Sequence, residues 1–119
     1  MAIPRVLVVD DEPRILRLVR ASLSVAGYEV FTTSSGEEAI SLVQSEVPDI
    51  VLLDVVMRPV DGLEVLKRLR AFSQIPVLLF TARTYSPDQV RALGANGIIS
   101  KPFRPEEMVK RIRAVLSAL

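Results

Sequence analysis

The sequence contains no cysteine, no histidine and no tryptophan. Without cysteine, the chain cannot form disulfide bonds, a thiol nucleophile or a cysteine-ligated zinc site. Without histidine, it lacks the commonest general base and the commonest metal ligand, so the usual serine-hydrolase triad is excluded. Its chemistry must therefore rely on carboxylates, hydroxyls and basic side chains.

Long apolar runs and an excess of one charge are also missing. No uninterrupted apolar stretch approaches the ~20 residues that a membrane-spanning helix needs. The first apolar run, Val6–Val9, leads into acidic residues, unlike the core of a signal peptide. The 15 basic and 14 acidic residues give a net charge of +1, which provides no general attraction for nucleic acid. We therefore expect a cytoplasmic protein with neither a membrane partner nor direct nucleic-acid binding.

Five short apolar runs alternate with five amphipathic segments, and 119 residues are enough for one domain. The runs are Val6–Val9, Val30–Thr32, Ile50–Leu53, Val77–Phe80 and Ile98–Ile99. Nearly continuous runs of Val, Ile and Leu are typical of strands buried on both faces of a parallel sheet. The alternation therefore predicts an α/β fold with helices on both faces of a doubly wound, five-stranded parallel sheet.

Helix start and stop signals divide the amphipathic segments. Capping-box patterns at Ser35–Glu38 and Asp61–Glu64 predict two helix starts. The segment Ser86–Gln89 predicts the start of the fourth helix, with Pro87 at its first position, and Pro105 predicts the start of the last. We expect the first helix to end at Gly27. The expected inward-facing residues of the first helix are Ile15, Leu18, Val19, Leu23 and Ala26, and those of the last are Val109, Ile112, Leu116 and Leu119.

Polar side chains follow four of the five predicted strands. Asp10 and Asp11 follow the first strand, Asp54 ends the third, Thr81 ends the fourth and Lys101 follows the fifth. Each residue alone would most often be a turn, strand or surface residue. In open parallel sheets, however, ligands bind beyond the carboxyl ends of the strands. We therefore expect these five residues to form one site.

Three carboxylates without histidine suit a hard divalent cation with oxygen ligands, Mg²⁺ or Mn²⁺. Such an ion would compensate the repulsion between Asp10 and Asp11, and without it we expect at least one raised carboxyl pKa. Lys101 suits a phosphate oxygen, and the Thr81 hydroxyl can donate to another. One carboxylate is then available as a nucleophile, as in enzymes that form an aspartyl phosphate.

The segments VVDDEP, LLDVVMRPVDG, FTAR and LGANGIISKPF together resemble the receiver domain of two-component response regulators. The resemblance covers essentially all 119 residues and implies a (βα)5, flavodoxin-like receiver fold with strand order 2-1-3-4-5. It also implies a single receiver domain over residues 1–119, with no output domain in this chain.

The resemblance assigns a role to each residue of the predicted site. Asp54 would be the phospho-acceptor. Asp10, Asp11 and Asp54 would hold Mg²⁺ together with the backbone carbonyl of Val56. Thr81 and Lys101 would bind the phosphoryl group. The bond between Lys101 and the next residue, a proline, would be cis.

The segments around the first and last helices are most similar to receivers that carry a winged-helix DNA-binding domain. This similarity implies a phosphorylation-activated switch that changes conformation to control a downstream output, namely transcription. The resemblance also implies that the chain is not an enzyme, and that its only chemistry is its own phosphorylation and slow dephosphorylation. The implied donor is a histidine kinase or a phosphotransfer protein, and a homodimer through the fourth and fifth helices is an expectation of the same kind.

Four departures affect the loops and the output face. Ile98 stands where the family has a switch aromatic, and Arg58 stands where a proline is usual. The spacing from Thr81 to Lys101 is about two residues short, which predicts a short or shifted fourth helix. Where the subfamily often has acidic residues, this chain has Asn96-Gly97, so Arg91 and Arg111 are expected to lack their usual partners.

Two other readings compete with the switch. A phosphorylation-independent interaction module on the same fold is favoured by Ile98 and the altered fourth helix, and opposed by the complete acidic site. A flavodoxin-like enzyme would need a polar phosphate loop after the first strand, where this chain is acidic. A haloacid-type phosphatase would need a second Asp two residues after its nucleophile, where Val56 stands.

Overall fold

Five parallel strands form the central sheet of the computed structural model, which describes residues 3–118. They are β1 (Arg5–Val9), β2 (Glu29–Thr33), β3 (Ile50–Asp54), β4 (Val77–Thr81) and β5 (Gly97–Ser100). Their order is β2-β1-β3-β4-β5, which confirms the predicted sheet. Every residue of β3 and β4 is buried, because these strands are covered on both faces.

One helix follows each strand. The helices are α1 (Pro13–Val25), α2 (Gly36–Glu46), α3 (Gly62–Arg70), α4 (Pro87–Ala92) and α5 (Pro105–Ser117). The six-residue α4 agrees with the short fourth helix that the sequence predicts. Within the described residues, no helix is both long and apolar enough to span a bilayer.

The sheet separates two hydrophobic clusters. On one face, α1 and α5 bury Val19, Leu23, Met108 and Ile112 against the strands. On the other face, the buried helix residues come from α2, α3 and α4: Ala39, Val43, Val65, Leu66, Leu69 and Val90. Each buried Leu or Val side chain contributes about 1.5–3 kcal/mol to folding, so this burial fixes the sheet between its two helix layers.

In each of α1 and α5, one position differs from the expected inward-facing set. Leu18 is 45% exposed, because the α1 stripe is centred on Val19 and Leu23 and continues to the partly buried Leu16 on the other side. In α5 the sequence pattern missed Met108, which is fully buried. Leu119, which was expected to face inward, lies outside the described residues.

Side-chain caps begin three helices as predicted. Asp61 Oδ1 accepts the Glu64 backbone N–H at 2.9 Å, and Ser35 Oγ accepts that of Glu38 at 3.1 Å, which is one half of the box expected at α2. At α4 the box is reciprocal between Ser86 and Gln89. These bonds satisfy backbone N–H groups that the first helical turn leaves free.

Val47, which caps the C-terminus of α2, has a left-handed backbone. Its φ is 45° and its ψ is 63°, and its side chain is 68% exposed. A β-branched residue is disfavoured in this region because its Cβ approaches the following carbonyl oxygen. The exposed side chain gains little packing in return.

We expect Val47→Gly to raise the free energy of unfolding by about 0.5–1 kcal/mol, since glycine has no Cβ to strain there. Urea titration followed by circular dichroism measures the change. Val25→Gly is the matched control, because Val25 is 90% exposed but lies in the right-handed last turn of α1. That control should lose stability, and equal losses at both positions would contradict the strain.

Candidate functional site

The polar residues predicted to form a site lie together at the carboxyl edge of the sheet. Carboxylate oxygens of Asp10, Asp11 and Asp54 lie within 4.8 Å of one another. Asp10 is fully buried and Asp54 is 4% exposed, whereas Asp11 is exposed. The pairing of Val9 with Leu53 sets this proximity, because it ends β1 and β3 at the same level.

Lys101 connects the two buried carboxylates. Its Nζ lies 2.7 Å from Asp10 Oδ2 and 3.4 Å from Asp54 Oδ1, and 18% of its side chain is exposed. The sequence predicted that this lysine would face a phosphate oxygen. It did not indicate that the ammonium would bond to Asp10, which is 91 positions away in the chain.

The start of α1 orients Asp10. Its Oδ1 accepts the backbone N–H of Glu12 at 2.9 Å, and Pro13 then begins the helix. The Asp10 backbone N–H donates to the Thr33 carbonyl at 3.1 Å, which ties the residue to the end of β2. Both Asp10 oxygens therefore have protein partners, one in the turn and one at Lys101.

Burial and charge raise the pKa of Asp54 to about 6. The largest cause is desolvation of the buried carboxyl, and the negative charge of Asp10 acts in the same direction. Lys101 and the backbone N–H of Val56 oppose the rise, the latter from 3.3 Å. The expectation of a raised carboxyl pKa is confirmed, with burial ahead of repulsion as its cause. Asp54 remains mostly ionised at neutral pH.

The Lys101 ammonium responds to the same surroundings. Burial alone lowers its pKa, but the hydrogen bonds and charges of Asp10 and Asp54 together outweigh burial and raise it. The lysine therefore stays charged. Three carboxylates facing one ammonium give the site a formal excess of two negative charges. An all-oxygen donor set with that charge fits a hard divalent cation.

Thr81 and Val56 complete the predicted set. Thr81 is 1% exposed, its Oγ1 accepts the Arg83 backbone N–H at 3.0 Å, and its carbonyl accepts the Lys101 backbone N–H at 2.9 Å. Val56 lies in the loop after β3, with its side chain exposed. The Lys101–Pro102 bond is cis, as predicted, and Arg58–Pro59 is also cis, which the sequence did not indicate.

Gly62 is a site-forming residue that the sequence indicated only as part of a helix start. A Cβ at this position would overlap the Asp54 carbonyl oxygen and lie 2.8 Å from the Asp54 carbonyl carbon. The Gly62 N–H also donates to the Val55 carbonyl at 2.8 Å. The space that a Cβ would need is filled by backbone atoms of Asp54 and Val55, which cannot move aside as a side chain could. The first turn of α3 can therefore pack against the end of β3 only because residue 62 is glycine.

The residues near β5 that depart from the family's sequence make specific contacts within the chain. Ile98 is partly buried against the core on the α4 face. Arg111 Nη2 donates to the Ile98 carbonyl at 2.8 Å, and Arg91 pairs with Asp88 within its own helix. Both arginines therefore have partners within the chain, and the expectation that they lack the acidic partners usual in the subfamily stays a prediction. Asn96 Oδ1 accepts the Val77 backbone N–H at 2.9 Å, a bond that joins β4 to the start of β5.

Residues 6–113 match the family described as response regulator receiver domain. Among curated relatives, the chain is 43% identical over 113 residues to the transcriptional regulatory protein KdpE of Mycobacterium tuberculosis, covering 93% of this chain and 50% of the relative. It is 42% identical over 115 residues to the alkaline phosphatase synthesis transcriptional regulatory protein PhoP of Bacillus subtilis, covering 94% and 48%.

A solved structure of the chemotaxis protein CheY4 of Vibrio cholerae matches with a TM-score of 0.88 and 38% identity, covering 96% of this chain and 99% of that one. The similarity to this structure therefore extends over nearly the whole of both chains. By contrast, the chain spans about half the length of the curated relatives that it matches.

We expect Gly62→Ala to lower the free energy of unfolding by about 1–3 kcal/mol, the usual cost of inserting a methyl group into a filled space. Urea titration measures the loss. Gly36→Ala is the control, because its new Cβ would meet the Val65 side chain at 2.7 Å instead of strand backbone. A loss at Gly36 equal to or larger than that at Gly62 would contradict the special fit of α3 on β3.

Proposed function

Because this chain belongs to the family of response regulator receiver domains, we propose that Asp54 is its phospho-acceptor and that its aspartyl phosphate switches the conformation of the domain. The observation that carries the proposal is the placement of Lys101 between Asp10 and Asp54, with Asp11 beside them at the same sheet edge. This arrangement combines a nucleophile, a cation for the phosphoryl oxygens and an acidic cluster for a metal ion.

Asp10, Asp11 and Asp54, with the backbone carbonyl of Val56, would hold Mg²⁺ or Mn²⁺. The support for this assignment is the oxygen-only donor set and its excess of two negative charges. When bound, the ion supplies charge compensation for the phosphoryl oxygens. Every other contribution comes from side chains of the protein.

Asp54 would attack the phosphorus of the donor with a carboxylate oxygen. A new O–P bond forms, the donor's N–P bond breaks, and its electron pair returns to the donor's imidazole. Asp54 suits this role because it is mostly ionised at neutral pH yet poorly solvated, with a pKa of about 6. Lys101 would pair with one phosphoryl oxygen, and the Thr81 hydroxyl would donate to another after leaving the turn that it now forms with Arg83.

The phosphoryl donor would be a histidine kinase or a phosphotransfer protein, as expected for a two-component receiver. The chain is then a signalling switch, with self-phosphorylation and slow self-dephosphorylation as its only chemistry. The matched relatives are named as transcriptional regulators, which supports control of transcription as the output. A single receiver domain over residues 1–119 and a cytoplasmic location are proposals that rest on family membership.

A phosphorylation-independent interaction module is the second candidate, and Ile98 favours it. An aliphatic side chain that packs against the core cannot swing as an aromatic switch residue would, because it is β-branched and stiff at its first torsion. Ile98 lies at the surface formed by α4, β5 and α5. We propose that a homodimer would form through this surface. Arg111 is already bonded to the Ile98 carbonyl there, so dimerisation would require a different set of ion pairs.

Millimolar Mg²⁺ should raise the melting temperature of the chain, because an ion that binds the native site alone stabilises the fold by mass action. At a hundred times the dissociation constant the gain is about 2.7 kcal/mol. Asp11→Ala should lose most of the increment while folding normally, since Asp11 is exposed. Differential scanning fluorimetry with and without the ion measures the shift in melting temperature. A melting curve that Mg²⁺ leaves unchanged would contradict the proposed metal site.

Acetyl phosphate with Mg²⁺ should add one phosphoryl group to the native chain, and Asp54→Asn should abolish the addition because an amide is not a usable nucleophile. Lys101→Ala should slow the labelling while the Mg²⁺-dependent stabilisation is largely kept. Intact mass measured over time gives both rates.

Asp49→Asn is the matched control for the loss of one carboxylate, because Asp49 lies at the opposite end of β3 and accepts the Arg5 backbone N–H. It should label like the native chain. Labelling that persists in Asp54→Asn would move the acceptor to another residue. A native chain that binds Mg²⁺ but takes no phosphoryl group would favour the interaction module.

A further inference from the structure

The aromatic ring of Phe80 lies beside the Lys101 ammonium. Lys101 Nζ is 4.9 Å from the centroid of the ring, within the range of a cation–π interaction. Phe80 is the residue before Thr81 in β4 and is fully buried. From the sequence it was read only as part of a core strand. The ammonium thus has three neighbours: two carboxylates and one aromatic face.

The Phe80 ring also packs against a second aromatic side chain. Phe103 packs edge-on against Phe80, with ring centroids 4.7 Å apart and planes at 72°. The backbone of Phe80 is paired on both sides, with Asp54 in β3 and with Ile99 in β5. Phe80 therefore has little freedom to move away from Lys101, and its face is a fixed feature of the site.

The Phe80 ring, unlike the two carboxylates, does not bind a metal ion or a phosphoryl group in competition with Lys101. Under the proposed function, on which this inference rests, a divalent cation would share Asp10 and Asp54, and a phosphoryl group would occupy one oxygen of Asp54. Both changes weaken the hold of those carboxylates on Lys101. The ring is uncharged, so neither the phosphoryl group nor a metal held by oxygen ligands displaces the ammonium from it.

We propose that Phe80 is a positioning residue for Lys101, which keeps the ammonium at the site through the cation–π contact while its carboxylate partners change. An aliphatic side chain of similar size would fill the space but would offer no negative face to the cation. The contact is strengthened by burial, because Lys101 is largely withdrawn from water.

Fluorination of the ring tests the proposal with little change in shape. Phenylalanine, 4-fluorophenylalanine and 3,4,5-trifluorophenylalanine are placed in turn at position 80 by site-specific incorporation, since successive fluorines remove negative charge from the ring face. The rate constant for labelling by acetyl phosphate is measured for each chain. We expect a stepwise fall that reaches roughly 2- to 10-fold for the trifluorinated ring, within the range of a cation–π contact.

The same substitutions at Phe72 are the control, because Phe72 is 45% exposed and follows α3 away from the site. They should leave the rate unchanged. A second control repeats the series at position 80 in Lys101→Met, which keeps the length of the side chain and removes its charge. There the fluorines should have no effect, whereas a purely structural role of Phe80 would give the same fall in both backgrounds and overturn the proposal.

A measurement on the unphosphorylated chain separates this inference from the proposed function. The ring current of Phe80 should shift the NMR signals of the Lys101 ε-protons, and Phe80→Leu should remove that shift. If the signals do not move, the contact is absent and the proposal fails, whatever the labelling shows. If the native chain takes no phosphoryl group, the proposed function fails, and the positioning role fails with it even where the NMR contact is present.

Discussion

The contact between one ammonium and two buried carboxylates holds the functional end of this molecule together. Lys101 follows β5, and its ammonium contacts both Asp10, after β1, and Asp54, at the end of β3. The contact with Asp10 therefore spans β3 and β4, which lie between β1 and β5 in the sheet. Two carboxylates this close and this poorly solvated would repel each other strongly without it, because Coulomb energies rise as the effective dielectric constant falls. The Lys101 ammonium makes it possible to bury both Asp10 and Asp54 at the carboxyl edge of the sheet.

That arrangement depends on central strands that are covered on both faces. The helix layers bury β3 and β4 along their whole length, so the polar residues can leave the core only at the ends of the strands. Parallel strands end at a common edge, and the site lies there for that reason. Close packing at the strand ends also explains two further residues. Gly62 lets the backbone of α3 contact the Asp54 carbonyl, and the buried Phe80 places its ring next to the end of β4.

The site keeps two negative charges in excess, and its output face is unusual. The excess suits a divalent cation and a phosphoryl group that arrive together. At β5, the partly buried Ile98 packs against the core, and Arg111 donates a hydrogen bond to the Ile98 carbonyl. Under the proposed function, the phosphorylation chemistry and the means of reporting it would therefore be separable in this chain. The carboxylates expected at the acidic site lie together, while the departures at Asn96 and Ile98 lie by the surface of α4, β5 and α5.

The order of strands and helices, the capping residues Ser35, Asp61 and Ser86, and the polar residues at the strand ends could all be predicted from the sequence. These features depend on local patterns: the spacing of apolar residues, the chemistry of helix starts and the geometry common to parallel sheets. The predicted metal ligands and the acceptor lie together for the same reason.

Tertiary packing alone decided how these residues pair. Lys101 bonds to Asp10 across 91 positions of the chain, and no local pattern records a contact of that length. The exposure of Leu18 depends on the rotation of α1 against the sheet, which the spacing of its apolar residues left open by one position. Gly62 and Phe80 have ordinary sequence surroundings, and their roles come from what the fold places against them: the carbonyl of Asp54 in one case and the ammonium of Lys101 in the other. Sequence periodicity specifies which face of an element is buried, whereas close contacts between elements depend on how the buried faces fit together.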